Sequence, residues 1–223
     1  LSGELVTVPD APLREGYEFL CWETALGERF DESRGISDNL TLYSKYNLVS
    51  PKFKISSLNT EYNGEEHALS FSEVSHPLDA KGGFAEFVWY RSGEVISRGK
   101  SIGVRNVKDS GEYSCLITYS YKSDSTSVLV EGISVGISPK MIETPTLCGA
   151  VYDGTPKLPT GLDQTLYSFE CDGFTDAGVY QITLTLNDGE NCMFSATGSD
   201  VAVVSFEVSR AKNNFIRLPD VKS

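Results

Sequence analysis

The sequence predicts an all-β chain: tandem β-sandwiches preceded by a smaller β unit. Three observations carry that expectation. The stretch Asp109-Ser110-Gly111-Glu112-Tyr113-Ser114-Cys115 places a tyrosine two residues before a cysteine at a strand entry, with Trp89 on an earlier strand. A looser copy of this corner, Asp176-Ala177-Gly178-Val179-Tyr180, follows later. Between these marks, short alternating runs are separated by turn residues at the spacing a sandwich requires.

Composition sets the outer limits. At 223 residues, with 40% hydrophobic and 11% aromatic residues, the chain can bury sizeable cores and is too apolar for disorder. Its apolar runs are of strand length, so no membrane insertion is expected within it. No charged-then-apolar leader opens the sequence, and Leu1-Ser2-Gly3 lacks an initiator methionine, so it reads as a piece of a longer precursor. A net charge of −12, from 31 acidic against 19 basic residues, argues against nucleic acid as a partner and disfavours an anionic membrane surface. The five cysteines form no CxxC pair and no Cys/His metal spacing, and their odd number leaves at least one unpaired.

The first unit is expected at residues 1–48. Tyr17, Phe19 and Cys21 alternate, as do Leu40, Leu42 and Ser44, so both runs read as strands with one buried face, and Trp22 reads as a core residue. The order of Pro12, then Gly16-Tyr17-x-Phe19-x-x-Trp22, a turn, and Asn39-x-Thr41-Leu42-Tyr43-x-Lys45-Tyr46 resembles the Listeria–Bacteroides repeat. That is the β-grasp-like repeat of internalin-type surface proteins. The resemblance implies a small β unit, incomplete at its start, with Cys21 as a small buried residue where the repeat has glycine.

Asn47 to Pro51 marks a boundary, and residues 51–138 form the second unit. Ala68–Val74 alternates, Phe84–Tyr90 is a strand, Arg91-Ser92-Gly93-Glu94 is a hairpin turn, and strands follow at Tyr113–Tyr121 and Ser127–Val135. The run around Trp89, together with the Tyr113 corner, resembles immunoglobulin-superfamily domains. The first cysteine of that family is missing; Leu69 or Phe71 is expected at its core position and Cys115 is expected to be a free buried thiol.

After Ser138-Pro139-Lys140 the plan restarts over residues 141–212. Tyr152-Asp153-Gly154-Thr155-Pro156, the Asp176–Tyr180 corner, Asn187-Asp188-Gly189-Glu190-Asn191 and the end strand Val201–Val208 resemble the MBG family of bacterial surface Ig-like repeats. Residues 213–223, beginning Asn213-Asn214-Phe215-Ile216, read as the start of a following module or a tail.

Chemistry is sparse. A hydrolytic triad needs a base, and only His67 and His76 exist, both among turn residues; His76-Pro77 reads as a loop. Glu65-Glu66, Asp31-Glu32 and Glu170 with Asp172 read as solvated faces rather than paired carboxylates. The Asn187–Asn191 run has calcium-loop composition without the ligand spacing, and a hairpin turn accounts for it. No catalytic residue, cofactor or metal is expected. The residues singled out are structural: Trp22, Trp89, Tyr113, Cys115 and Tyr180. Tyr90, Tyr119 and Tyr121 are candidates for ligand contact, weighed against ordinary sheet-face positions.

The functional expectation is a monomeric, extracellular or cell-surface segment without enzymatic activity. Its modules would space or present a binding region. The alternatives are that one immunoglobulin-like module itself binds a host or cell-surface protein or a glycan, or that the segment is an accessory region of a larger secreted enzyme.

Overall fold

A computed structural model describes residues 7–33, 35–36 and 39–212. The parts of the expected first unit at 1–6, 34 and 37–38, and the expected tail 213–223, lie outside the described residues. The strands, in order, are β1 (Tyr17–Glu23), β2 (Tyr43–Leu48), β3 (Lys52–Lys54), β4 (Leu58–Glu61), β5 (His67–Ser70), β6 (Glu73–Ser75), β7 (Phe84–Arg91), β8 (Glu94–Arg98) and β9 (Ser101–Val104). They continue as β10 (Gly111–Tyr121), β11 (Asp124–Ser138), β12 (Lys140–Ile142), β13 (Ala150–Val151), β14 (Tyr167–Ser168), β15 (Gly178–Leu186), β16 (Cys192–Phe194) and β17 (Val201–Ser209). Among the described residues the only helical turns are two short 3-10 segments, Asp79–Lys81 and Val107–Asp109, so the chain is all-β as expected.

The residues form two compact units. Of the described residues, one unit comprises those up to Leu58 with Glu66–Val104 and Gly111–Val135; the other comprises Asn59–Glu65, Arg105–Ser110 and those from Gly136 to Lys212.

In the first unit β1 and β2 pair antiparallel, Tyr17 opposite Leu48 and Glu23 opposite Tyr43. Leu40 and Leu42 precede the strand rather than belonging to it. A bulge between Phe19 and Cys21 corrects the expected alternation. Phe19 and Trp22 come to share a face, their ring centroids 5.6 Å apart, and Tyr46 packs edge-on to Phe19 at 5.8 Å. Cys21 is buried, while Phe19 remains 39% exposed.

The sandwich follows immunoglobulin-like order: the five-stranded sheet β4-β11-β10-β7-β8, with β5–β9 and β3–β6 as smaller antiparallel pairs. Alternation on β10 buries Tyr113, Cys115, Ile117 and Tyr119, each at most 4% exposed. Phe71 closes the core from the other side, its ring centroid 5.4 Å from that of Trp89 and 5.4 Å from that of Phe87. Burial of aromatic rings takes the place of a crosslink, since all five cysteines are free thiols.

In the second unit β15 and β17 pair antiparallel along almost their full length, Gly178 opposite Val208 and Thr185 opposite Val201. Strict alternation on β17 buries Ala202, Val204, Phe206 and Val208. These join Ile182, Leu184, Leu186, Tyr167 and Phe194 in one core. Two pairings are parallel, β13 with β17 and β12 with β16, which the sequence pattern did not predict. For that reason Asn187–Asn191 is a turn without being a hairpin: it leads β15 into β16, whose partner is β12.

Candidate functional site

The residues predicted to be structural occupy these places. Trp89 is fully buried, its indole N–H donating to the Gly99 carbonyl at 2.8 Å. Cys115 lies opposite Trp89 in the strand register and is fully buried, and burial pushes its thiol up to about 11. A thiol so far from ionising is a poor nucleophile. Tyr113 is 4% exposed, with the Arg91 guanidinium 5.4 Å from its ring centroid. Below that corner the Asp109 carboxylate accepts from the backbone N–H groups of Arg105 and Asn106, both at 2.8 Å, which closes the turn into β10. Tyr180 is half-buried, stacks on Phe174 at 4.0 Å and donates its hydroxyl to the Asp176 carbonyl at 2.8 Å. That is the backward tyrosine bond expected of the corner. Trp22 is half-buried.

His76 is buried rather than lying in a solvated loop. Its Nδ1 accepts the Leu78 N–H at 3.1 Å, so the ring proton sits on Nε2 and points at the Val49 carbonyl, 3.1 Å away. Both ring nitrogens are thus engaged in internal hydrogen bonds to the backbone, which occupies the position a general base would use. Asp79 accepts the His76 backbone N–H at 2.8 Å and the Tyr119 hydroxyl at 2.7 Å. Burial, then the hydrogen bond to Asp79, holds the Tyr119 phenol well above its ordinary range. Tyr119 is thus an internal residue, only 1% exposed, packed with Leu48 and Leu78, and Tyr121 is half-buried against that cluster. Gly83 shows why no larger residue precedes β7: a Cβ there would lie 2.0 Å from the Tyr119 hydroxyl.

A second polar knot, missed by sequence reasoning, centres on Asn191 within the second unit. Its Oδ1 accepts the Val107 N–H at 2.9 Å, and its Nδ2 donates to Asp188 at 2.8 Å and, more weakly, to Asn106 at 3.4 Å. Its carbonyl accepts the Lys140 N–H at 2.9 Å. Tyr62 hydrogen-bonds Asp188, which raises its phenol above the usual range.

Tyr90 is the ligand-contact candidate that faces outward. It pairs with exposed Val95 across β7 and β8; beside it Leu116 lies between Val88 and the 50%-exposed Leu129. This apolar stripe on the outer face of the sheet is bordered by exposed Glu86 and Glu112. Binding, rather than covalent chemistry, is what such a surface can do. Among the described residues, no group of three or more His, Cys, Asp or Glu is placed to hold a metal ion, and no helix is long and apolar enough to cross a membrane.

No family model matches the chain, and no curated protein matches it. Solved structures do. The N-terminal four Ig domains of Dscam1 isoform 4.44 align at 13% identity and a TM-score of 0.25, covering 88% of this chain and 66% of that one. The N-terminal eight Ig domains of Down Syndrome Cell Adhesion Molecule isoform 1.30.30 align at 12% identity and a TM-score of 0.27, covering 87% of this chain and 38% of that one. At such TM-scores the likeness is weak, and assignment of the chain to an all-β, immunoglobulin-like sandwich class rests on the strand order and the Trp89–Phe71–Cys115 core.

Proposed function

We propose that the chain is a non-catalytic segment of a cell-surface or secreted protein whose β modules space or present a binding region. The observation carrying this reading is the fastening of Val49, between the first two sequence units. Its N–H donates to the Gly16 carbonyl at 3.0 Å and its carbonyl takes the His76 Nε2 proton. A connector with both backbone groups bonded internally behaves as part of a packed body, as a spacer requires. The resemblance of residues 1–48 and 141–212 to bacterial surface repeats supports the same reading. Hydrogen exchange on the full chain tests it: the Val49 amide should be protected as strongly as those of β1 and β2, and the folded chain should stay silent on arrays of glycans and extracellular-matrix proteins. Free exchange at Val49 would remove the spacer reading.

A second reading is favoured by the Val88–Leu116–Leu129 stripe, which would serve direct recognition of a protein. Saturable array binding that Leu129→Glu abolishes, with the melting curve unchanged, would put this reading first.

A further inference from the structure

The sheet of the second unit stops short on one side. Its edge strand β14 pairs with β15 only at Tyr167–Leu186 and Ser168–Thr185. From Gly178 to Leu184, β15 has its β17 partner on one side and, among the described residues, no strand on the other. That free edge runs for on the order of 20 Å at the usual rise of a strand. A groove of about 530 Å³ lies along it, lined by Ser168, Phe169, Glu170 and Phe174 on the β14 side and by Gln181, Thr183 and Thr185 on β15. Its volume falls within the usual range for ligand clefts, roughly 300–1,000 Å³. After β14 the chain adds no further ladder pairs to β15, and its Phe174 stacks on Tyr180 of β15 and packs on Phe206.

Charge selects the occupant. Residues 158–209 carry eight acidic side chains and neither lysine nor arginine, and the charged residue lining the groove is Glu170. Lys157, whose backbone pairs with that of the lining residue Phe174, has its ammonium already bound to Asp153.

We propose that this groove is a strand-addition site for an extended peptide segment of a partner protein, one that alternates apolar with basic residues. The peptide continues the line of β14. Its backbone pairs with β15 between Gly178 and Leu184, its apolar side chains cover Phe169 and Phe174, and its lysines or arginines answer the acidic surround of Glu170. Main-chain pairing provides attachment, and charge sets which segment is taken. The inference does not depend on the spacer reading, since it concerns a different unit from the one that carries Val49.

The test uses the full chain and an acetylated, amidated octapeptide alternating lysine or threonine with valine. Titration followed by amide NMR should give saturable binding, with new exchange protection confined to Gly178–Leu184 and affinity falling as salt is added. Replacing the peptide's lysines by glutamate, or Thr183→Arg in the protein, should weaken binding at least tenfold; Thr183→Val, which keeps the exposed position uncharged, should not. Methylating alternate peptide nitrogens should abolish it. Four results would overturn the proposal: no saturation at millimolar peptide, equal binding of the methylated peptide, protection mapping elsewhere such as β8, or an edge already protected without peptide. The last would mean that the chain's own residues or a second copy occupy the edge, and sedimentation would tell those two apart.

Discussion

The imidazole of His76 lies stacked on the Tyr119 ring, centroids 4.0 Å apart and planes inclined at 30°. Asp79 ties the two together by accepting the backbone amide of one and the hydroxyl of the other. Around this pair the connector at Val49, the glycine at Gly16 and the apolar pair Leu48 and Leu78 are assembled, so several measurements should respond to it.

The first concerns alkaline pH. The folded Tyr119 phenol is held above its unfolded value of roughly 10, so its contribution is complete below that pH and is lost as pH rises through the raised folded value. Tyr119→Phe should reduce stability by roughly 1–2 kcal/mol at neutral pH. It should also flatten the decline in urea midpoint above pH about 10. An unchanged alkaline slope would show that Asp79 does not hold the phenol proton.

Gly16 offers a steric test. It adopts φ +77°, and a Cβ there would lie 2.6 Å from Leu78 Cγ and 3.0 Å from His76 Cε1. Gly16→Ala should destabilise the first unit by roughly 1–3 kcal/mol and speed amide exchange in β1 and β2. Gly103→Ala is the contrast: the three atoms nearest its Cβ would all belong to the movable Glu66 carboxylate, and Gly103 lies outside the left-handed region. Its effect should be much smaller.

The uncrosslinked core makes Phe71 carry much of what a disulfide would. Phe71→Ala should cost roughly 3–5 kcal/mol in denaturant unfolding. In the native chain Cys115 should stay unlabelled by a thiol reagent at neutral pH while exposed Cys148 reacts at once. In the variant, labelling of Cys115 should track unfolding. Rapid native labelling of Cys115 would contradict its burial.

Asn191→Ala should leave the Val107 N–H without its partner, a loss of roughly 1–3 kcal/mol. The signature is local: faster exchange at Val107, while Lys140, bonded to the Asn191 backbone carbonyl, keeps its protection and the β7–β10 amides are unchanged. Asn191→Asp keeps the acceptor but sets a carboxylate against Asp188, so it should be no better at neutral pH and should improve on acidification.

The sandwich was legible because its marks are local. Trp89, Tyr113 and Cys115 announce inward positions through alternation and a corner that spans only a few residues, and Tyr180 does the same. What stayed hidden depends on partners far along the chain. His76 reads as a loop residue beside Pro77 until Val49 and Tyr119 are brought to it; Asn191 reads as a hairpin turn until Val107 is. The bulge at Leu20 shifts Phe19 off the face shared with Cys21, and no residue type in that run signals it. Tyr119 reads as a ligand-contact candidate weighed against a sheet-face position, and its parity with Cys115 and Ile117 points inward. The open edge of β15 could not be read at all, because it depends on where β14 stops pairing.

Packing of Phe71 against Trp89 and Phe87 also bears on how the chain reaches its fold. A domain held by ring contacts can form as soon as its strands meet, without waiting for an oxidant or for the right pair of sulfurs to find each other. Its order of events is set by loop closure and hydrophobic collapse alone. Such a chain could be synthesised in one redox environment and take up its structure in another, with the same end state in both.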